Sequence, residues 1–197
     1  PDLQTDFTEY RRHMEFQSIL NTRCLVTDGA MGTYYREKYG EGAGVPELDN
    51  LKAPDRIRKI HREYIEAGAV IIRTNSFASN IQTLCRDTSA RTREEQLSVV
   101  YENVSAACRI ARSAVEEQAQ KQGKDSVGEI YIAGDIGPVP EQGGSAGNDE
   151  MIIEEYKTMA KAHLDAGIRL IWFETFSDLE WILPVAEWIR SVSDAFI

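Results

Sequence analysis

Four short apolar runs, at residues 24–26, 70–72, 130–133 and 170–173, each end in a glycine or polar cluster, and helix-length amphipathic segments lie between them. Such alternation predicts parallel strands joined by helical crossovers, because a parallel pair cannot be closed by a tight turn. The clusters are Asp28-Gly29-Ala30-Met31-Gly32-Thr33, Thr74-Asn75-Ser76-Phe77, Gly134-Asp135-Ile136-Gly137-Pro138 and Glu174-Thr175-Phe176. Each sets a carboxylate or carboxamide near a strand's C-terminal end, the edge at which α/β sheets and β/α barrels bind their ligands.

The intervening segments carry helix signals. Pro54 suits a first helical turn, Ile57, Ile60, Tyr64 and Ile65 follow at helical spacing, and Gly68 supplies a stop. Thr92 with Glu95 three residues on forms a capping box for a long helix whose apolar face includes Leu97, Val100, Val104, Cys108, Ala111 and Val115 before Gly123. A third helix is predicted from about Asp149 to Gly167. A fourth is predicted from Ser177 or Asp178, with Glu180 completing a box and Pro184 kinking the helix. Phe16, Ile19 and Leu20 mark a helical N-terminal extension, over residues 1–18, that covers one end of the core.

A weak internal repeat aligns residues 64–77 with 163–176 and sets Asn75 and Glu174 at equivalent strand ends. Both a β/α barrel and a doubly wound sheet accommodate such units, but only the barrel points every strand end at one mouth. The expected fold is therefore α/β, a (β/α)8 barrel of which residues 19–197 supply about the first four units. A fifth strand begins near Ala195. A full barrel takes about 250 residues, so the sequence reads as cut off.

Composition narrows the ligand. A net charge of -10 leaves no basic footprint for nucleic acid or an anionic membrane. No apolar stretch reaches the roughly 18 residues of a membrane span, and the N-terminus has no secretory apolar core. Cys24, Cys85 and Cys108 form no close pair, which suits a reducing, cytoplasmic setting rather than a disulfide framework.

The string 28–33, followed by His61, Tyr64, Ala67-Gly68-Ala69 and Thr74-Asn75-Ser76-Phe77, resembles the homocysteine S-methyltransferase family. Gly134-Asp135-Ile136-Gly137-Pro138 and Phe173-Glu174-Thr175-Phe176-Ser177-Asp178 are also similar to it. The resemblance is to the homocysteine-binding module found in cobalamin-dependent methionine synthase and bacterial homocysteine methyltransferases. It implies methyl transfer to the thiol of homocysteine, giving methionine, and leaves the donor open between methylfolate with cobalamin and another methyl compound. It also implies a zinc ion on three cysteines, since a thiol of pKa ~8.5 is mostly protonated at neutral pH. The family's Asn-Cys and Gly-Gly-Cys-Cys motifs are missing from this sequence. The chain alone is therefore expected to be inactive.

What the resemblance assigns to this chain is substrate binding by Asp28, Gly29, Ala30, Met31, Thr74, Asn75 and Glu174. Asp28 and Glu174 would meet the α-ammonium and the amides from Gly29 to Thr33 the α-carboxylate. An Asp before Gly and an Asn after a strand also simply cap turns. Three other readings stay open: a hydrolase or lyase barrel holding a divalent cation on Asp28, Asp135 and Glu174; a half-barrel that self-associates through apolar surface; and a flexible loop at residues 143–147 over the site. His13, His61 and His163 fall on predicted helices, away from the strand ends.

Overall fold

Pro54 opens and Gly68 closes the helix that the apolar spacing predicts, with Ile57, Ile60 and Ile65 buried along one side. The computed structural model describes residues 16, 18–22, 24–122, 129–140 and 149–197. The loop predicted at 143–147, His13, Gly123 and most of the N-terminal extension lie outside the described residues. In chain order the elements are α1 (Met31–Tyr39), α2 (Asp49–Lys52), α3 (Pro54–Glu66), β1 (Ile71–Arg73), α4 (Ile81–Leu84) and α5 (Arg93–Gln122). They continue as β2 (Tyr131–Ile136), α6 (Asp149–Asp165), β3 (Leu170–Phe173) and α7 (Ile182–Val192).

The three strands pair in parallel in the order β1-β2-β3. Parallel bridges extend this succession at both sides, Thr27 to Ile71 and Leu170 to Phe196. Each successive strand position thus adds to the same edge, without the reversal of a doubly wound sheet. Side-chain alternation then separates two layers. Ile72 faces the helices with Ile65, Ala69 and Ala114, whereas Ile71, Ala133, Leu170 and Trp172 face the other way and pack with Phe16 and Phe196.

The capping box of α5 forms as its sequence predicts: Glu95 N–H donates to Thr92 Oγ1 at 3.2 Å and Thr92 N–H to Glu95 Oε2 at 3.0 Å. This 30-residue helix packs along both α3 and α6. Cys108 is buried in its apolar face, where loss of water pushes the thiol up to about 12.

Three expectations are corrected. Residues 24–26 form no strand: pairing with β1 is reduced to the Thr27–Ile71 bridge, and Val26 joins it only through its carbonyl, which accepts from Val70 and Ile71 N–H. The last helix starts at Ile182 rather than at 177 or 178, since Asp178 Oδ1 accepts only from Glu180 N–H, at 2.8 Å, and closes a local turn. Pro184 then falls in the first turn of α7, where its missing N–H costs no bond within the helix, rather than in the helix interior that a kink requires. One further helix, α1, was not predicted. It begins where the sequence suggested a glycine-rich turn.

Candidate functional site

The alternation that sends Ile71 inward also sends Arg73 inward, and likewise Asp135 two residues after Ala133 and Glu174 two after Trp172. These side chains meet Asp28, just past the Thr27 bridge, in a cavity of about 310 Å³ at the C-terminal strand ends. Gly29, Ala30, Met31, Thr74 and Asn75 line the same cavity, as do Glu47, Phe77 and Arg36.

Arg73 dominates the electrostatics. Its Nε donates to Asp28 Oδ1 at 2.8 Å, its backbone N–H to Asp28 Oδ2 at 3.0 Å, and its Nη1 pairs with Glu174 Oε2. Nη2 donates to the carbonyls of Asp28 and Gly29. Burial alone would push the guanidinium down, yet the two carboxylates outweigh it and hold it above its ordinary value. Asp28 is raised because its burial outweighs the arginine's pull, and Asp135 is pushed up to about 8, by burial first and the Glu174 charge second. Asp135 therefore holds its proton at neutral pH.

Facing the acidic wall is the N-terminus of α1. The first bond within the helix runs from Tyr34 N–H to Ala30 O at 3.3 Å, and Ala30 offers no side-chain cap. The amides of Met31, Gly32 and Thr33 are left without carbonyl partners in the helix, a natural place for an anion. Gly29 permits the close packing of Tyr64 beside this turn, since a Cβ there would stand 2.8 Å from Tyr64 Oη.

Behind this wall His163 corrects another expectation: α6 carries it to the strand ends, not away from them. Its Nε2 lies 3.1 Å from both Thr74 Oγ1 and Ser76 Oγ, and Ser76 Oγ donates to Asp135 O at 2.7 Å. Burial pushes both His163 and the fully buried His61 down to about 4, so each is neutral. The His163 ring sits where Gly134 leaves room, because a Cβ on Gly134 would fall 2.6 Å from the imidazole. Gly134→Ala is expected to lower stability by about 1–3 kcal/mol through overpacking, and thermal denaturation of the two proteins measures it.

Asn75 is held rather than free at a rim. Its Nδ2 donates to Pro46 O at 3.0 Å and to Asn50 Oδ1 at 2.8 Å. Glu47, which sequence reading missed, is buried, raised by that burial, and anchored through Oε1 to Ala78 N–H at 2.9 Å.

The divalent-cation reading does not survive this geometry. Arg73 already bridges Asp28 and Glu174, and among the described residues no group of three His, Cys, Asp or Glu side chains is placed to hold a metal ion. Nor do the cysteines fit a zinc site, because Cys24 is exposed while Cys85 and Cys108 are buried on other elements.

A family model described as homocysteine S-methyltransferase matches residues 25–194. The chain belongs to the homocysteine S-methyltransferase family. Among its relatives, the methionine synthase of Mycobacterium tuberculosis (strain ATCC 25618 / H37Rv) is 30% identical over 168 residues, 82% of this chain and 13% of that protein. The methionine synthase of Mycobacterium leprae (strain TN) is 29% identical over 186 residues, 87% of this chain and 14% of that one. The chain thus spans about one-seventh of the curated relatives it matches. In fold it is similar to the homocysteine methyltransferase MmuM of Escherichia coli. The metallated form has a TM-score of 0.69 at 21% identity, with 90% of this chain and 63% of that one covered. The apo form has a TM-score of 0.66 at 24% identity, with 90% and 59% covered.

Proposed function

We propose that this homocysteine S-methyltransferase family chain holds the amino-acid end of homocysteine for methyl transfer to its sulfur. One observation carries the reading: uncapped helix amides and buried carboxylates line a single small cavity. The amides from Gly29 to Thr33 suit the α-carboxylate, with Arg36 adding positive charge on the same side of the cavity. The acidic wall, where Asp28 and Glu174 exceed the Arg73 they hold by one negative charge and Thr74 and Asn75 lie beside them, suits the α-ammonium. The fold class that fits is the (β/α)8 barrel, with residues 19–197 as its N-terminal part behind an extension at 1–18.

In the reaction a bond forms between the homocysteine sulfur and the methyl carbon as the donor's bond to that carbon breaks, after the thiol has lost its proton. The zinc of the complete family domain supplies that activation when bound, and the residues of this chain do not fit it. They bind and orient. The methyl donor, methylfolate through cobalamin or another methyl compound, would meet the substrate from beyond this cavity. A reducing, cytoplasmic setting suits a thiol substrate and three free cysteines. Among the described residues no helix is long and apolar enough to cross a membrane.

The deciding experiment is a zinc titration combined with a methyl-transfer assay on this chain. Weak homocysteine binding with no methionine formed is the expected outcome, and stoichiometric tight zinc with methionine production would refute it. A second reading, self-association, is favoured by the apolar inner sheet face, which opens on a cavity of about 680 Å³ lined by Phe16, Leu25, Trp172 and Phe196. Light scattering showing only monomer would remove it.

A further inference from the structure

Three asparagines link the strand-end cavity to the long helix α5. Asn75 Nδ2 donates to Pro46 O and Asn50 Oδ1, and Asn50 Nδ2 returns a bond to Asn75 O at 2.8 Å. The same Asn50 nitrogen donates to Asn103 Oδ1 at 2.9 Å, and Ser79 Oγ donates to that oxygen at 2.9 Å. Asn103 Nδ2 closes the set with a bond to Glu47 O at 2.9 Å. Asn50, Ser79 and Asn103 are all buried, so a bond lost among them is not replaced by water. Two stretches of chain are thereby tied to one residue of α5. Residues 45–47 and 74–78 both line the cavity, whereas neither Asn50 nor Asn103 does. Glu47 Oε1 joins the two stretches directly by accepting from Ala78 N–H. The first stretch has little other anchorage, since the one-turn 3-10 helix before it, Glu41–Ala43, buries no residue.

We propose that Asn103, through Asn50, is a positioning residue for ligand binding: from outside the cavity it fixes the lip at residues 45–47 against the strand-end stretch 74–78. The residue type suits the task. An asparagine carries a carbonyl with two lone pairs and an amide donor on one flat group. Asn103 therefore accepts from Asn50 and Ser79 while donating to Glu47 O, which neither a leucine nor an ionised aspartate of similar size would do. A satisfied buried network of this kind specifies one arrangement of the chain segments it joins. A lip already held in place spares the ligand the cost of ordering it, and that saving appears as affinity. The role rests on the reading of this cavity as an amino-acid site, and it falls to a residue that touches no ligand there.

The test is calorimetric titration of the full chain with L-homocysteine, comparing Asn103→Ala with Val185→Ala, a core truncation on α7 that lowers stability without touching the network. Asn103→Ala is expected to weaken binding about tenfold or more, and Val185→Ala by less than about twofold. A purely structural asparagine would lower the melting temperature in both variants and leave the affinity of the folded chain alone. Amide NMR supplies a second readout. The signals of Val45 and Phe77, which make no bond to Asn103, should move in Asn103→Ala and stay in place in Val185→Ala. Circular dichroism shows whether Asn103→Ala folds. If it does not, Ser79→Ala, which removes a single bond to Asn103, takes its place with an expected loss of about threefold or more. Affinity unchanged in the folded variant overturns the role of Asn103 alone. If L-homocysteine does not bind the unaltered chain, the amino-acid reading falls and the role with it.

Discussion

Arg73→Met is expected to be the most damaging single substitution at the strand ends, lowering stability by about 3–5 kcal/mol at pH 7, the usual cost of stranding one partner of a buried ion pair. The arginine side chain is 17% exposed and that of Asp28 only 3%, so solvent screens the pair weakly. Without the guanidinium, Asp28 would face Glu174 and Asp135 with its charge unmatched in a site that already raises its pKa. The deficit should shrink as the pH is lowered, because protonation removes the stranded charges. It should shrink also in the double variant Arg73→Met/Asp28→Asn, which removes both partners. Urea denaturation at two pH values measures both effects. A loss below about 1 kcal/mol that is independent of pH would mean that the ion pair is incidental.

The second large effect is a decline in stability on the alkaline side of about pH 6.5. Asp135 rises from 3.8 to about 8 on folding, so the folded chain keeps a proton that the unfolded chain gives up. Its contribution is complete below pH 4 and is lost as the pH climbs to about 8, at about 1.4 kcal/mol per unit. His61 and His163 act in the opposite sense. They fall from 6.5 to about 4, so their contribution is complete above 6.5 and is lost as the pH drops toward 4. Two histidines outweigh one aspartate between pH 4 and 6.5, whereas above 6.5 the aspartate acts without them. Glu47, raised by burial, acts in the same sense as Asp135. The share of Asp135 is the difference between the unaltered chain and Asp135→Asn across pH 6.5 to 8. Parallel curves over that interval would show that Asp135 ionises freely.

Much of the site was legible because it lies in residues adjacent along the chain. The Asp-Gly after one apolar run, the Thr-Asn after the next and the Glu after the last marked strand ends, and parallel order brought them to one cavity. Arg73 carries no apolar signal, because the apolar run stops one residue before it at Ile72. Counting one residue further on the inward face from Ile71 would have found it. Glu47 had no local signal, since its burial depends on Ala78, 31 residues away. His163 looked like an ordinary helix residue because nothing near it in sequence reveals that Gly134 leaves space for its ring. Helix α1 was hidden by polarity: of its residues only Tyr35 is buried, so no apolar stripe announces it.

The central claim, that the strand-end cavity holds an amino acid by its backbone-like end, is tested most directly by backbone-amide NMR. The chain would be titrated with L-homocysteine and with L-norvaline, in which a methyl group replaces the thiol. Both ligands should shift the amides of Met31, Gly32 and Thr33 together with those of Asn75 and Asp135. If neither ligand shifts those amides, or if the shifts cluster instead at Trp172 and Phe196 in the apolar cavity, the account is contradicted.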